Sequence, residues 1–74
     1  MLEQQDQKAR DELGHKLKDA REKKKLTQVE VAKRADIHVN YYARIERGEE
    51  NPSFDRLRRI AKALGIKSSE ILPF

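Results

Sequence analysis

The stretch "LTQVEVAKRADIHVNYYARIERG", Leu26 to Gly48, decides the fold. It holds two short helical patterns with only "ADIH" between them. Thr27 and Glu30 stand at the spacing at which a threonine hydroxyl caps a first turn while the glutamate reaches back to the cap. Val31, Ala32 and Ala35 then share one face, and the pattern ends at Ala35. The second helix is expected from about Val39 to Arg47, with Tyr42 and Ile45 turned inward, and stops at Gly48, a residue suited to a left-handed exit.

Working outward, the apolar spacing stays helical. Leu13, Leu17 and Ala20 form one stripe on a preceding helix expected from roughly Asp6 to Lys24. Residues 1–8 are almost entirely polar and read as an N-terminal extension to a single domain of residues 9–74. After "ENP", Ser53 is an N-cap, Asp55 sits where a helix dipole favours an anion, and Leu57, Ile60, Ala61 and Leu64 share a face that ends at Gly65. Ser68 and Glu70 open one more turn carrying Ile71 and Leu72 towards Pro73. The expectation is all-α, five helices and no strands, in a compact bundle.

Size and composition restrict what such a bundle does. The chain has 74 residues and no cysteine, so neither a disulfide nor a thiolate zinc site holds it together. A chain this short buries only about 60% of its unfolded surface, which leaves no room for a deep substrate cavity. The net charge of +4 and a pI near 9.6 suit a polyanionic partner. The charges are not segregated along the chain: residues 1–25 carry eight basic and six acidic side chains, residues 26–48 four and three, residues 49–74 five and four. Any basic face has to be made by folding. Lys23, Lys24 and Lys25, the densest run, read as a solvated helix end or as a phosphate contact. No stretch approaches the roughly 20 apolar residues that span a bilayer, and the chain reads as cytoplasmic. His15 and His38 fall on different helices with no nucleophile or metal spacing beside them, so neither an enzyme, a metal, a cofactor nor a small-molecule substrate is expected.

Two short helices with a tight turn between them are the helix-turn-helix arrangement, whose second helix can enter a DNA major groove. Ala32 is small enough to let the two helices approach, and Ile37 plugs the turn. The outward face of the second carries Asn40, Ala43, Arg44 and Arg47 at i, i+3, i+4 and i+7, with Val39 beside it. Arg can pair with guanine, Asn with adenine, and Val can pack on a thymine methyl, each good pair giving roughly 1 to 3 kcal/mol of discrimination. The competing use of the same fold is a protein-interaction module, an antitoxin or a coactivator-like adaptor. A partner surface of that kind is broadly apolar, and this face is polar.

The runs "LTQ", "IERG", "NPS" and "IAKALG" resemble the Cro/C1-type (Xre) helix-turn-helix domain of bacterial and phage repressors over residues 13–72, including small phage or plasmid repressors and restriction-modification controllers. The resemblance implies a five-helix, lambda-repressor-like domain, dimeric, that binds a near-palindromic site in double-stranded DNA through its third helix and represses transcription. Carried over residue by residue, it assigns base reading to Val39, Asn40 and Arg44 with Ala43 between them. It assigns DNA-backbone contacts to Gln28, which also braces the third helix, and to Arg47 and the loop to Ser53 with Asn51. Thr27 joins that backbone set. His38 reads as a cap or phosphate contact, and Tyr41 as a backbone contact or as packing against the following loop. Arg21 and Glu46 match a partly buried ion pair. Asp36 stands where the family usually has Gly, and Val39 where a polar reader is usual. Glu49 and Glu50 lie where phosphate is expected and would repel it unless turned outward. Tyr42 takes a core position, its ring buried and its hydroxyl reaching the edge. Ile66, Ile71, Leu72 and Phe74 make an apolar end suited to a dimer interface, with closure of the chain's own core as the competing use of Phe74.

Overall fold

A computed structural model describes residues 2–71, with side chains from Asp6 onward. The helices are α1 (Leu2–Lys23), α2 (Gln28–Ala35), α3 (Val39–Glu46) and α4 (Phe54–Leu64), followed by a 3-10 turn at Ser68–Glu70. Among the described residues there are thus four α-helices, and the expected fifth is the 3-10 turn. Its backbone bond runs from Ile71 N–H to the Ser68 carbonyl at 3.1 Å, the three-residue closure that suits short pieces. The first helix begins at Leu2, earlier than the apolar stripe alone indicates.

One core serves all the elements. Leu13 and Leu17 of α1 meet Val31, Ala32 and Ala35 of α2, Tyr42 and Ile45 of α3, and Leu57, Ile60, Ala61 and Leu64 of α4. α1 lies on α3, and α2 packs on both α3 and α4. The α1 to α3 crossing depends on Gly14. A Cβ there would overlap the Glu46 carbonyl oxygen and sit 2.8 Å from that of Ile45, so the backbones approach at a distance only glycine permits.

All four helices end the same way. Lys25, Asp36, Gly48 and Gly65 adopt positive φ, and each donates its N–H back three residues while the next residue donates back five. This is the Schellman closure, which satisfies carbonyls that a helix end otherwise leaves unpaired. At three of the ends the residue after the left-handed one is apolar and packed on the core: Leu26, Ile37 and Ile66. At the end of α3 it is Glu49, which is exposed. The left-handed Asp36, φ 56°, shows how the turn tolerates the residue found where glycine is usual.

Ile71 corrects an expectation. Placed on a dimer face by the resemblance, it is 1% exposed, because the 3-10 turn folds it onto the core of its own chain. Ile66 is half-buried against the same core, and Leu72 and Phe74 lie outside the described residues.

Candidate nucleic-acid interface

α3 is held from three sides. Its start is capped by His38, whose Nδ1 accepts from Asn40 N–H at 3.1 Å, so the ring's place is at the helix end. Its inner face is sealed by Tyr42 and Ile45, both 0% exposed. Its end is fixed by Glu46. Arg21 donates through Nε to Glu46 Oε2 at 2.7 Å and through Nη2 to Oε1 at 3.1 Å, and its Nη1 donates to the Leu26 carbonyl at 3.0 Å. One guanidinium therefore ties the end of α1, the approach to α2 and the end of α3 together.

Gln28 completes this knot. Its side-chain amide donates to Glu46 Oε1 at 2.9 Å, bracing the N-terminus of α2 against the C-terminus of α3. Burial pushes the Glu46 carboxyl up, but the bonds from Arg21 and Gln28 outweigh it and hold the group below the usual carboxylate range. The same pair raises the Arg21 guanidinium further. Burial, with the Glu46 carboxylate second, raises the Tyr42 phenol. Its hydroxyl does not reach the edge as the sequence predicts: it is buried and without a hydrogen-bond partner of good geometry.

The outward residues take graded positions. Asn40 is exposed, and Val39, Ala43 and Arg44 are half-buried, Val39 with part of its side chain on the core. Arg47, the C-cap of α3, is exposed. Of the flanking residues, Thr27 is exposed and spends its hydroxyl on Glu30 N–H at 3.1 Å, while Glu30 accepts from Thr27 N–H at 2.8 Å. Ser53 caps α4 through Arg56 N–H at 3.2 Å, and Asn51 is exposed beside the buried Pro52. Tyr41 is half-buried, and Arg56 lies over its ring at 5.0 Å with a long 3.4 Å bond from Nη1 to the Tyr41 hydroxyl. The ring thus bridges α3 and α4. Lys23, Lys24 and Lys25 are exposed at the end of α1.

Three features carried no distinct sequence signal. Gln7 Nε2 donates to the Gly48 carbonyl at 3.0 Å and to Asp11 Oδ1 at 2.8 Å, so α1 buttresses the exit of α3. Arg56 caps the Tyr41 ring. Arg44 and Arg47 are each paired with a loop carboxylate, Glu50 and Glu49. The left-handed Gly48 supplies the local cause, since Glu49 N–H donates to the Arg44 carbonyl at 2.9 Å and turns the loop back along α3. Among the described residues no group of His, Asp or Glu is placed to hold a metal ion, and no helix is long and apolar enough to cross a membrane.

A short α2, a left-handed turn at Asp36 and a braced α3 are the helix-turn-helix geometry, and a family model described as Helix-turn-helix matches residues 17–71. The chain belongs to the helix-turn-helix family, in its Cro/C1-type branch. Among relatives of this helix-turn-helix protein, the immunity repressor protein of Bacillus phage phi105 is 43% identical over 60 residues, which cover 81% of this chain and 42% of the phage protein. The control protein C.BamHI of Bacillus amyloliquefaciens is 37% identical over 62 residues, 82% of this chain and 76% of that one. The chain therefore spans less than half of the phage repressor and about three-quarters of the control protein. In structure it is similar to the restriction-modification controller protein C.AhdI from Aeromonas hydrophila, with a TM-score of 0.83 and 28% identity over 85% of this chain and 96% of that one.

Proposed function

We propose that this protein is a sequence-specific, double-stranded-DNA-binding transcriptional regulator of the cytoplasm, a dimeric repressor that inserts α3 into the major groove of a near-palindromic site. The observation that carries this reading is the division of α3. Tyr42, Ile45 and Glu46 are locked inward by packing and a partly buried ion pair, while Asn40 is exposed and Ala43 and Arg44 are partly open on the opposite side. A reader of base edges needs side chains of this chemistry on an element that does not move. The family supports it: named relatives are a phage immunity repressor and the control protein C.BamHI, and a similar structure is that of a restriction-modification controller protein.

In this reading Asn40 and Arg44 pair with base edges, Val39 offers its exposed part to a thymine methyl, and Ala43 leaves room for the bases between them. Gln28, Thr27, His38, Arg47, Asn51 and Ser53 flank the groove at phosphates, with Tyr41 supporting them through Arg56. The domain is residues 9–74 with residues 1–8 as its N-terminal extension, of which Leu2 onward prolongs the first helix, and the C-terminal end, with Ile66, Leu72 and Phe74, forms the dimer contact. No catalysis is required of it.

Selection of binding sites from a random duplex pool tests DNA binding, symmetry and base preference together. The expected product is a near-palindrome with half-site centres about 34 Å apart, bound with an affinity that drops steeply with salt. An unenriched pool, or binding indifferent to salt, would overturn the reading. Arg44→Ala should then flatten preference at one position of the selected site, whereas Gln28→Ala should weaken all duplexes alike. Equal behaviour of the two would refute the assigned roles.

A further inference from the structure

The loop leaving α3 puts two carboxylates on the two arginines of the outward face, and it holds them differently. Glu50 Oε2 accepts one bond, from Arg44 Nε at 2.9 Å. Glu49 accepts two, from Arg47 Nε at 2.9 Å and Nη2 at 3.2 Å. A guanidinium has a side edge, Nε with one Nη, and an end edge, the two Nη groups. Glu49 occupies the side edge of Arg47 fully. Glu50 takes only Nε of Arg44 and leaves the two Nη groups, the end edge, without a hydrogen-bond partner among the described residues.

Neither pair is there for the fold. Side-chain exposures are 42% and 32% for Arg44 and Glu50, and 56% and 52% for Arg47 and Glu49, a regime in which ion pairs add little to stability. The other three helix ends place an apolar residue where α3 places Glu49, so the acidic pair departs from the chain's own pattern at the one end that faces the proposed groove.

We propose that Glu50 is a positioning and specificity-determining residue: it fixes Arg44 by Nε so that the paired Nη groups meet a guanine edge, while Glu49 and Glu50 together repel phosphate and suppress binding to indifferent DNA. This rests on the reading of Arg44 as a base reader. A held guanidinium has already given up the rotamer freedom it would lose on binding, which favours the one geometry it is held in. A free one reaches any nearby phosphate. The carboxylates add the opposing element that discrimination requires, since every duplex presents phosphates and only the right site presents the guanine.

The test uses the full chain with three duplexes: the selected site, the same site with the Arg44-contacted base pair exchanged, and a random duplex, followed by fluorescence anisotropy. Glu50→Ala should bind the random duplex about threefold more tightly, one repelling charge having gone. Its preference for the selected site over the exchanged one should fall about tenfold. Glu50→Gln keeps an acceptor for Nε and should recover most of the preference while keeping the gain on random DNA. In an Arg44→Ala background, Glu50→Ala should leave the preference untouched. If Glu50→Ala keeps full preference while Arg44→Ala loses it, the proposal falls and base reading by Arg44 stands. If Arg44→Ala itself keeps the preference, base reading by Arg44 falls, and this proposal with it.

Discussion

Replacing Arg21 by methionine removes the cation from the knot that joins α1 and α3 while keeping an unbranched chain in its place. Glu46 would keep the Gln28 amide at 2.9 Å and lose two charge-assisted bonds, at 2.7 and 3.1 Å. Breaking a fully buried pair costs about 3 to 5 kcal/mol. Here the side chains are 13% and 4% exposed, so some water reaches the arginine side and the lower end, about 3 kcal/mol, is expected. A chain of 74 residues has a total stability of roughly 4 to 11 kcal/mol. At about 4 to 8 °C per kcal/mol for a domain this small, Tm should drop by roughly 12 to 24 °C.

The pH dependence separates lost charge pairing from lost packing. In the wild type the Glu46 carboxyl lies below its ordinary value, so its contribution is present above the unfolded pKa of about 4.3 and is lost as pH falls through the lower folded value. Without Arg21 burial dominates and the folded carboxyl moves up. The variant therefore loses stability as pH rises from about 4.3 through that raised value. The deficit should be largest at pH 7 and shrink towards pH 4, measured by urea unfolding followed by circular dichroism. A deficit equal at both pH values would refute the reasoning and assign the loss to packing.

Gly14→Ala should destabilise by about 2 to 3 kcal/mol, because its methyl must push the α3 carbonyls away rather than a flexible side chain; a melt unchanged within error would mean the helices can separate freely. Tyr42→Phe deletes a buried hydroxyl that has no partner of good geometry, so stability should hold or rise by up to about 1 kcal/mol in the same assay. A loss of more than that would make the hydroxyl a working member of the Arg21 and Glu46 knot.

Short-range chemistry was readable along the chain. The Thr27 and Glu30 box, the Ser53 and His38 caps and the left-handed Gly48 and Gly65 all act within five residues, so the residues concerned stand together in the sequence. The core was readable for a related reason. Leu13, Leu17, Tyr42, Ile45, Ile60 and Leu64 are selected by helical period alone, since burial follows the face and not the partner. Gly14 left a trace that the apolar stripe obscured: a glycine inside a helix costs roughly 1 kcal/mol against alanine and calls for a close neighbour.

The sequence by itself determined the helices, their ends and the two faces of α3, because hydrogen bonds between near neighbours and the period of apolar residues are local properties. Only the tertiary structure decided which partners the polar groups chose. Gln7 finds Gly48 across 41 residues, a distance that no period or spacing encodes, and Arg21 finds Glu46 across 25, a pair that the family resemblance named but local chemistry does not. It also turned Ile71 into the core instead of a dimer face, and made Ser68–Glu70 a 3-10 turn where a fifth helix was expected. The two glutamates after Gly48 show the difference most directly. Read along the chain they are charges that would repel DNA, and only the Schellman closure of α3, which bends the loop back on Arg44 and Arg47, gives those charges something to hold.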